Sequence, residues 1–209
     1  GEMVQICNTR DEIYKVMKQY FSSFFPNTRG SLNIYEKKDL SLKPVVHWGD
    51  SEQKLSPFLS DECWALRKGK PYWVQTGQSS LICRHLKGYR NNESLCTPLM
   101  VREEVIGLLH IMVPPKDAQA LETPGLTVLK SKQSLAKIIA ETLALALVNI
   151  RLREDLRRQS ILDPLTGLYN RRFLNENLKR EVHSMKRLNY SIGILIIDVD
   201  HFKKFNDTY

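Results

Sequence analysis

The chain has 209 residues, 42% of them hydrophobic and 26% charged, which is room for one full domain and part of another. Its net charge of +8 is spread evenly, with 19 basic against 15 acidic groups in residues 1–150 and 12 against 8 in residues 151–209. The lack of a basic block argues against nucleic-acid binding or membrane contact. No secretory leader or bilayer-length apolar run is read either, since the longest apolar stretch, Ile138 to Ile150, contains Glu141, Thr142 and Asn149.

In chain order, Thr9-Arg10-Asp11-Glu12 fits a capping box that opens a helix. Ile13, Val16, Met17, Tyr20, Phe21 and Phe24 follow at helical spacing, and Pro26 and Gly30 end the pattern. Residues 31–36 and 43–48 read as strands. Ser60 is placed to cap a short helix, Asp61 to Lys68, closed by Gly69. Tyr72-Trp73-Val74 reads as a strand and residues 75–94 as a long loop. Leu95–Val101 and Val105–Val113 form a hairpin stopped by Pro114-Pro115. This order predicts an α+β fold, an antiparallel sheet with helices packed on it.

The four cysteines, Cys7, Cys63, Cys83 and Cys96, read as reduced thiols in a cytoplasmic protein. Cys63, Cys83, His85 and Cys96 form a possible metal or sensing set. Only Cys83-Arg84-His85 is closely spaced and no Cys-x-x-Cys pair exists, so Cys63 and Cys96 can equally be small buried residues. His47 and His110 are possible haem ligands or ordinary strand residues. A pocket is expected between the sheet and the loop 75–94, with the helix bearing Cys63 and Trp64 as a wall.

Over residues 5–150 the chain resembles a GAF domain. The resemblance rests on Glu62-Cys63-Trp64-Ala65-Leu66-Arg67-Lys68-Gly69-Lys70-Pro71, Cys83-Arg84-His85, Leu95-Cys96-Thr97-Pro98-Leu99 and Gly107-Leu108-Leu109-His110. It implies a sensory domain for an unknown small-molecule ligand. The cyclic-nucleotide signature Asn-Lys-Phe-Asp-Glu is absent.

From Val128 a helical pattern runs without Gly or Pro to Pro164. One heptad register places Val128, Leu135, Thr142, Asn149 and Leu156 at the first core position, and Ser131, Ile138, Leu145, Leu152 and Gln159 at the second. Ile139, Leu143, Ala146 and Leu147 widen the apolar surface, so the helix needs two partners. One is the sheet and the other a second protomer, in a coiled coil. A helix folded back only on its own domain is the alternative.

At the C-terminus, Tyr190 to Ile197 reads as a buried strand ending in Asp198 and Asp200, carboxylates that suit a hard divalent cation or a turn. This segment and Asp163-Pro164-Leu165-Thr166-Gly167-Leu168-Tyr169-Asn170-Arg171-Arg172 together resemble the opening of a GGDEF domain, the diguanylate cyclase family. The resemblance implies Mg²⁺ on Asp198 and the Val199 carbonyl. It implies GTP phosphates on the His201 and Phe202 N–H groups, and guanine on Asn206. The Gly-Gly-Asp/Glu-Glu-Phe signature does not occur in the 209 residues.

The expected organisation is a GAF-like sensory domain over 1–127, a signalling helix over 128–162, and the N-terminal part of an α/β GGDEF domain over 163–209. The expected function is the sensory and dimerisation region of a homodimeric enzyme that converts two GTP to cyclic di-GMP. The truncated chain itself is expected to be inactive. The alternative is a non-catalytic GAF module with a degenerate output. Gly1-Glu2-Met3 reads as a cut rather than a natural start, which leaves upstream membrane or receiver domains open.

Overall fold

The computed structural model describes residues 2–49, 56–74, 81–89, 92–113, 125–198, 200, 201 and 207. Pro114 and Pro115 lie outside these residues, as does the side chain of Val128. The chain divides into two units, Gly1–Arg153 and Glu154–Tyr209.

In the first unit a single turn, α1 (Glu2–Gln5), precedes α2 (Arg10–Phe24). The Thr9 hydroxyl accepts the Glu12 N–H at 3.3 Å, and the Glu12 carboxylate reaches back to the Asn8 N–H at 2.7 Å. The return bond thus falls one residue before the cap. Ile13, Met17 and Phe21 are buried, while Tyr20 on the flank is half exposed. Beyond the helix, Asn27 turns the backbone at φ 58 and the Thr28 hydroxyl donates to the Phe25 carbonyl at 2.7 Å.

Six strands follow: β1 (Arg29–Glu36), β2 (Ser41–Trp48), β3 (Phe58–Leu59), β4 (Tyr72–Val74), β5 (Glu93–Val101) and β6 (Glu104–Val113). They form one antiparallel sheet of order β3-β2-β1-β6-β5-β4. All the predicted strands of this unit form, some extended by one or two residues. Two-residue β3 carries no sequence signal of its own.

The pleat sends alternate side chains to opposite faces. Leu32, Ile34, Leu95, Leu99, Leu109 and Ile111 enter one core with α2 and a long helix, α4 (Gly125–Ile161). There the Phe21 and Trp48 rings stack with centroids 4.6 Å apart. Leu42, Cys96 and Leu108 enter a second, smaller core on the other face.

Short segments cover that second face. The predicted helix 61–68 is in fact broken at Cys63. A 3-10 turn, Ser60–Glu62, comes first, Cys63 is extended (φ −116, ψ 119), and α3 (Trp64–Lys68) begins after it. The Glu62 carboxylate accepts the Leu59 N–H at 2.9 Å and caps this first turn, while the extended Cys63 separates it from α3 and serves as the N-cap of that helix. Gly69 ends α3 in the left-handed region at φ 62. The predicted loop 75–94 contains a 3-10 turn, Arg84–Tyr89, and gives its last two residues to β5. Residues 75–80, 90 and 91 lie outside the described residues.

Helix α4 has two apolar sides. Ala136, Ala140, Leu143, Ala144, Leu147 and Ile150 are buried, whereas Ile138, Leu145 and Leu152 are 59%, 56% and 54% exposed at seven-residue intervals. Leu156 is also exposed, and Asn149 faces solvent. No helix among the described residues is long and apolar enough to cross a membrane.

In the second unit the end of α4 leads through a tight turn to α5 (Arg171–Leu188). The predicted strand Tyr190–Ile197 does not form among the described residues. Ile194, Leu195, Ile196 and Ile197 are 70–88% exposed. A strand exists through its ladder, and no neighbouring strand of this unit pairs with it among the described residues.

Candidate functional site

Three segments distant in sequence meet on the second face of the sheet. Cys63 is positioned by its own backbone, because its N–H bonds to the Ser60 carbonyl at 3.3 Å and its carbonyl accepts the Arg67 N–H at 3.1 Å. Cys96 stands on β5, opposite Tyr72 of β4 and His110 of β6. Cys83 and His85 enter from the 3-10 turn, whose Leu86 N–H bonds to the Cys83 carbonyl at 2.9 Å. The Tyr72 hydroxyl donates to the Leu81 carbonyl at 3.0 Å and holds this segment to the sheet.

The ligand atoms of Cys63, Cys83, His85 and Cys96 all lie within 4.8 Å of one another. His85 Nε2 is 3.8 Å from Cys96 Sγ, and the Trp64 N–H donates to Cys83 Sγ at 3.3 Å. The His85 ring lies flat on Phe58, with centroids 4.2 Å apart and planes 12° apart. Its Nδ1 is buried with no hydrogen-bond partner among the described residues, so stacking orients the ring. All three thiols are free and fully buried.

Crowding of three sulfurs divides their protons unequally. The Cys83 thiol is held far below its ordinary range, first because Cys63 and Cys96 donate to it, with His85 and the Trp64 N–H adding to the effect. Cys63 is pushed up to about 12 by its bond to Cys83 and by burial. Cys96 is raised by its bonds to Cys63 and Cys83 and then by burial. His110, edge-on to His85 at 6.1 Å, is pushed down to about 3, mainly by burial, and is a neutral imidazole at neutral pH.

These four residues are the only group of three or more potential metal ligands among the described residues. The sequence singles them out, but not the Trp64 N–H or the Phe58 ring that organise them. His47 and His110, the possible haem ligands, both pair with Ser31, so β1 runs between them. Neither belongs to the group. Cys7 lies in the other core, its thiol bonded to the Met3 carbonyl at 3.2 Å.

Where the segment 75–94 is described, Ile82 and Leu86 pack with the cysteines of this cluster and with Val74 and Leu108 of the sheet. An open groove of about 320 Å³ lies on the other side of the unit, where Val16, Tyr20 and Phe24 of α2 face Leu135, Ile138 and Thr142 of α4.

In the second unit the Asp163–Arg172 motif builds the turn between α4 and α5. Asp163 Oδ1 accepts the Thr166 N–H at 2.9 Å and hydroxyl at 2.8 Å, and these bonds hold its carboxyl below the usual range. Gly167 turns at φ 70 and bonds to the Asp163 carbonyl. Asn170 caps α5, its Oδ1 accepting the Phe173 N–H at 2.9 Å, while its Nδ2 donates to the Ser160 carbonyl at 2.9 Å. Asp198, Asp200 and His201 are exposed. Val199, Phe202 and Asn206 lie outside the described residues. Among the described residues the segment offers Mg²⁺ no assembled donor set.

Residues 160–209 match the family model described as diguanylate cyclase, GGDEF domain. The chain is 36% identical over 85 residues to diguanylate cyclase DgcS of Shewanella oneidensis, covering 40% of this chain and 29% of that protein. It is 46% identical over 57 residues to diguanylate cyclase DosC of Escherichia coli, covering 27% and 12%. The chain thus spans less than a third of the length of these relatives. In fold, it is similar to the GAF domain/HD domain protein from Geobacter sulfurreducens, with a TM-score of 0.53 at 17% identity over 68% of this chain and 94% of that one. The GAF domain of the cyanobacteriochrome TePixJ gives 0.54 at 14% identity over 71% and 95%. Both resemblances read from the sequence, GAF and GGDEF, are borne out.

Proposed function

We propose that the chain is the sensory and coupling region of a cytoplasmic diguanylate cyclase, whose whole form joins two GTP molecules into cyclic di-GMP. The observation that carries this reading is the order of parts. A GAF-type sheet is followed by an uninterrupted helix, and the GGDEF match begins at residue 160, on that helix's last turn. Residues 1–127 act as the sensor, 128–162 as the coupling helix and 163–209 as the first part of the output domain.

Each GGDEF domain holds one GTP, so two must face each other for the 3′-hydroxyl of one to reach the α-phosphorus of the other. A helix paired with its copy controls that encounter. The exposed Ile138, Leu145 and Leu152 support such pairing in a parallel homodimer. In the whole enzyme, Asp198 and the Val199 carbonyl are the positions assigned to Mg²⁺. His201 and Phe202 are assigned to the phosphates, and Asn206 to guanine.

The test compares lengths. Incubated with GTP and Mg²⁺, the 209-residue chain should yield no cyclic di-GMP by chromatography. The protein extended through a complete GGDEF domain should yield it, and Asp198→Ala in that longer form should abolish the product while its circular dichroism stays unchanged. Product from the 209 residues, or a fully active Asp198→Ala enzyme, would sink the assignment.

A further inference from the structure

We propose that Cys63, Cys83, His85 and Cys96 bind one Zn²⁺ ion in a closed Cys₃His site that pins the covering segments of the second face onto β5. Zn–S bonds of about 2.3 Å and Zn–N bonds of about 2.0–2.1 Å set tetrahedral ligand atoms roughly 3.4–3.8 Å apart. The His85–Cys96 pair already stands at 3.8 Å, and the whole set lies within 4.8 Å. Small side-chain rotations close the remainder. The set is too tight for a binuclear iron–sulfur cluster, whose terminal ligands are divided between two irons.

The ligand types select the same ion. Three soft thiolates and one imidazole in a tetrahedron suit Zn²⁺ and exclude Mg²⁺ or Ca²⁺, which take oxygen. Burial of all three sulfurs leaves no position for water or substrate, so the site is structural rather than catalytic. On binding, the thiols pass their remaining protons to solvent and the set carries a formal charge of −1. The Trp64 N–H at 3.3 Å from Cys83 Sγ is already aimed to stabilise a bound thiolate.

The architecture around the set shows what an ion would hold together. The second face is covered by a five-residue helix and two 3-10 turns, elements too short to be stable alone. Its core is smaller than that beneath α2 and α4, and its three cysteines come from three different segments. A single ion would tie the β3–β4 connection, the β4–β5 connection and the sheet in one step, as structural metals do where apolar burial is scarce. The centre does not depend on what the C-terminal segment does.

The test is metal analysis of the 209-residue chain purified in reducing, metal-depleted buffer. Roughly one zinc per chain is expected, as for a closed four-ligand site. It should be retained in Cys7→Ser and lost from Cys83→Ser and Cys96→Ser. Because those variants can fail to fold, the wild type is also exchanged with Co²⁺. Strong visible bands of tetrahedral cobalt with thiolate charge transfer are expected, and they should shift but persist in His85→Cys. Metal-free wild type with a weak octahedral cobalt spectrum would overturn the proposal. So would iron with iron–sulfur absorption, a disulfide among the three thiols, or zinc unaffected in a folded Cys83→Ser.

Discussion

Gly30→Ala should lower the urea midpoint of the first unit by about 1.5 M, the result of a loss of about 3 kcal/mol with a slope near 2 kcal/mol per molar. A methyl group there would sit 2.2 Å from the His110 carbonyl oxygen and 2.3 Å from the Trp48 ring. The first obstacle is backbone in the neighbouring strand and cannot swing away. Relief requires β1 to leave β6 or Trp48 to leave Phe21, and either move opens the larger core. Gly107→Ala should behave alike, since its added carbon would lie 2.3 Å from the Asn33 carbonyl oxygen. Gly88→Ala, with nothing within 4 Å, is the control. Trp48, Trp64 and Trp73 all lie in the first unit, so fluorescence follows that unit alone. Equal midpoints for Gly30→Ala and Gly88→Ala would show that β1 is not gripped in this way.

The double change Leu145→Glu with Leu152→Glu should convert a dimer to a monomer in light scattering. Both side chains are more than half exposed in the single chain, on the side of α4 opposite its buried row. Replacing them leaves the unit's own core intact, so circular dichroism should not change. In a two-stranded seam the same carboxylates would be taken from water without partners, at several kcal/mol. Ala140→Glu is the contrasting variant, because Ala140 is 1% exposed and its replacement should unfold the unit. An unchanged mass for the double variant would place the partner elsewhere, with the groove between α2 and α4 the next surface to test.

The strands of the first unit could be read as short, largely apolar runs because both faces of the sheet are covered, so that β1, β5 and β6 are buried along most of their length, and each run is bounded by turn residues. The cap of α2 was equally legible, since Thr9 and Glu12 act within four residues of each other. The break at Cys63 was not, because Asp61 to Lys68 has the composition of one continuous helix and nothing in that composition marks the extended backbone at Cys63. The cluster was legible only as residue types. Cys83 and His85 are neighbours in sequence, but Cys63 and Cys96 reach them through the register of β4 on β5 and the fold of two short turns. Tyr190–Ile197 shows the reverse. Its pattern is that of a strand, yet pattern alone supplies no neighbour to pair with.

One feature of β5 sets a scale for everything around it. Cys96 points to one face and Leu95, the adjacent residue, to the other, where it shares a core with Leu143 and Leu147 of α4. A chemical event at the sulfurs is therefore one peptide bond away from a side chain in the helix's own core. The partition between the two halves of this unit is a single strand thick.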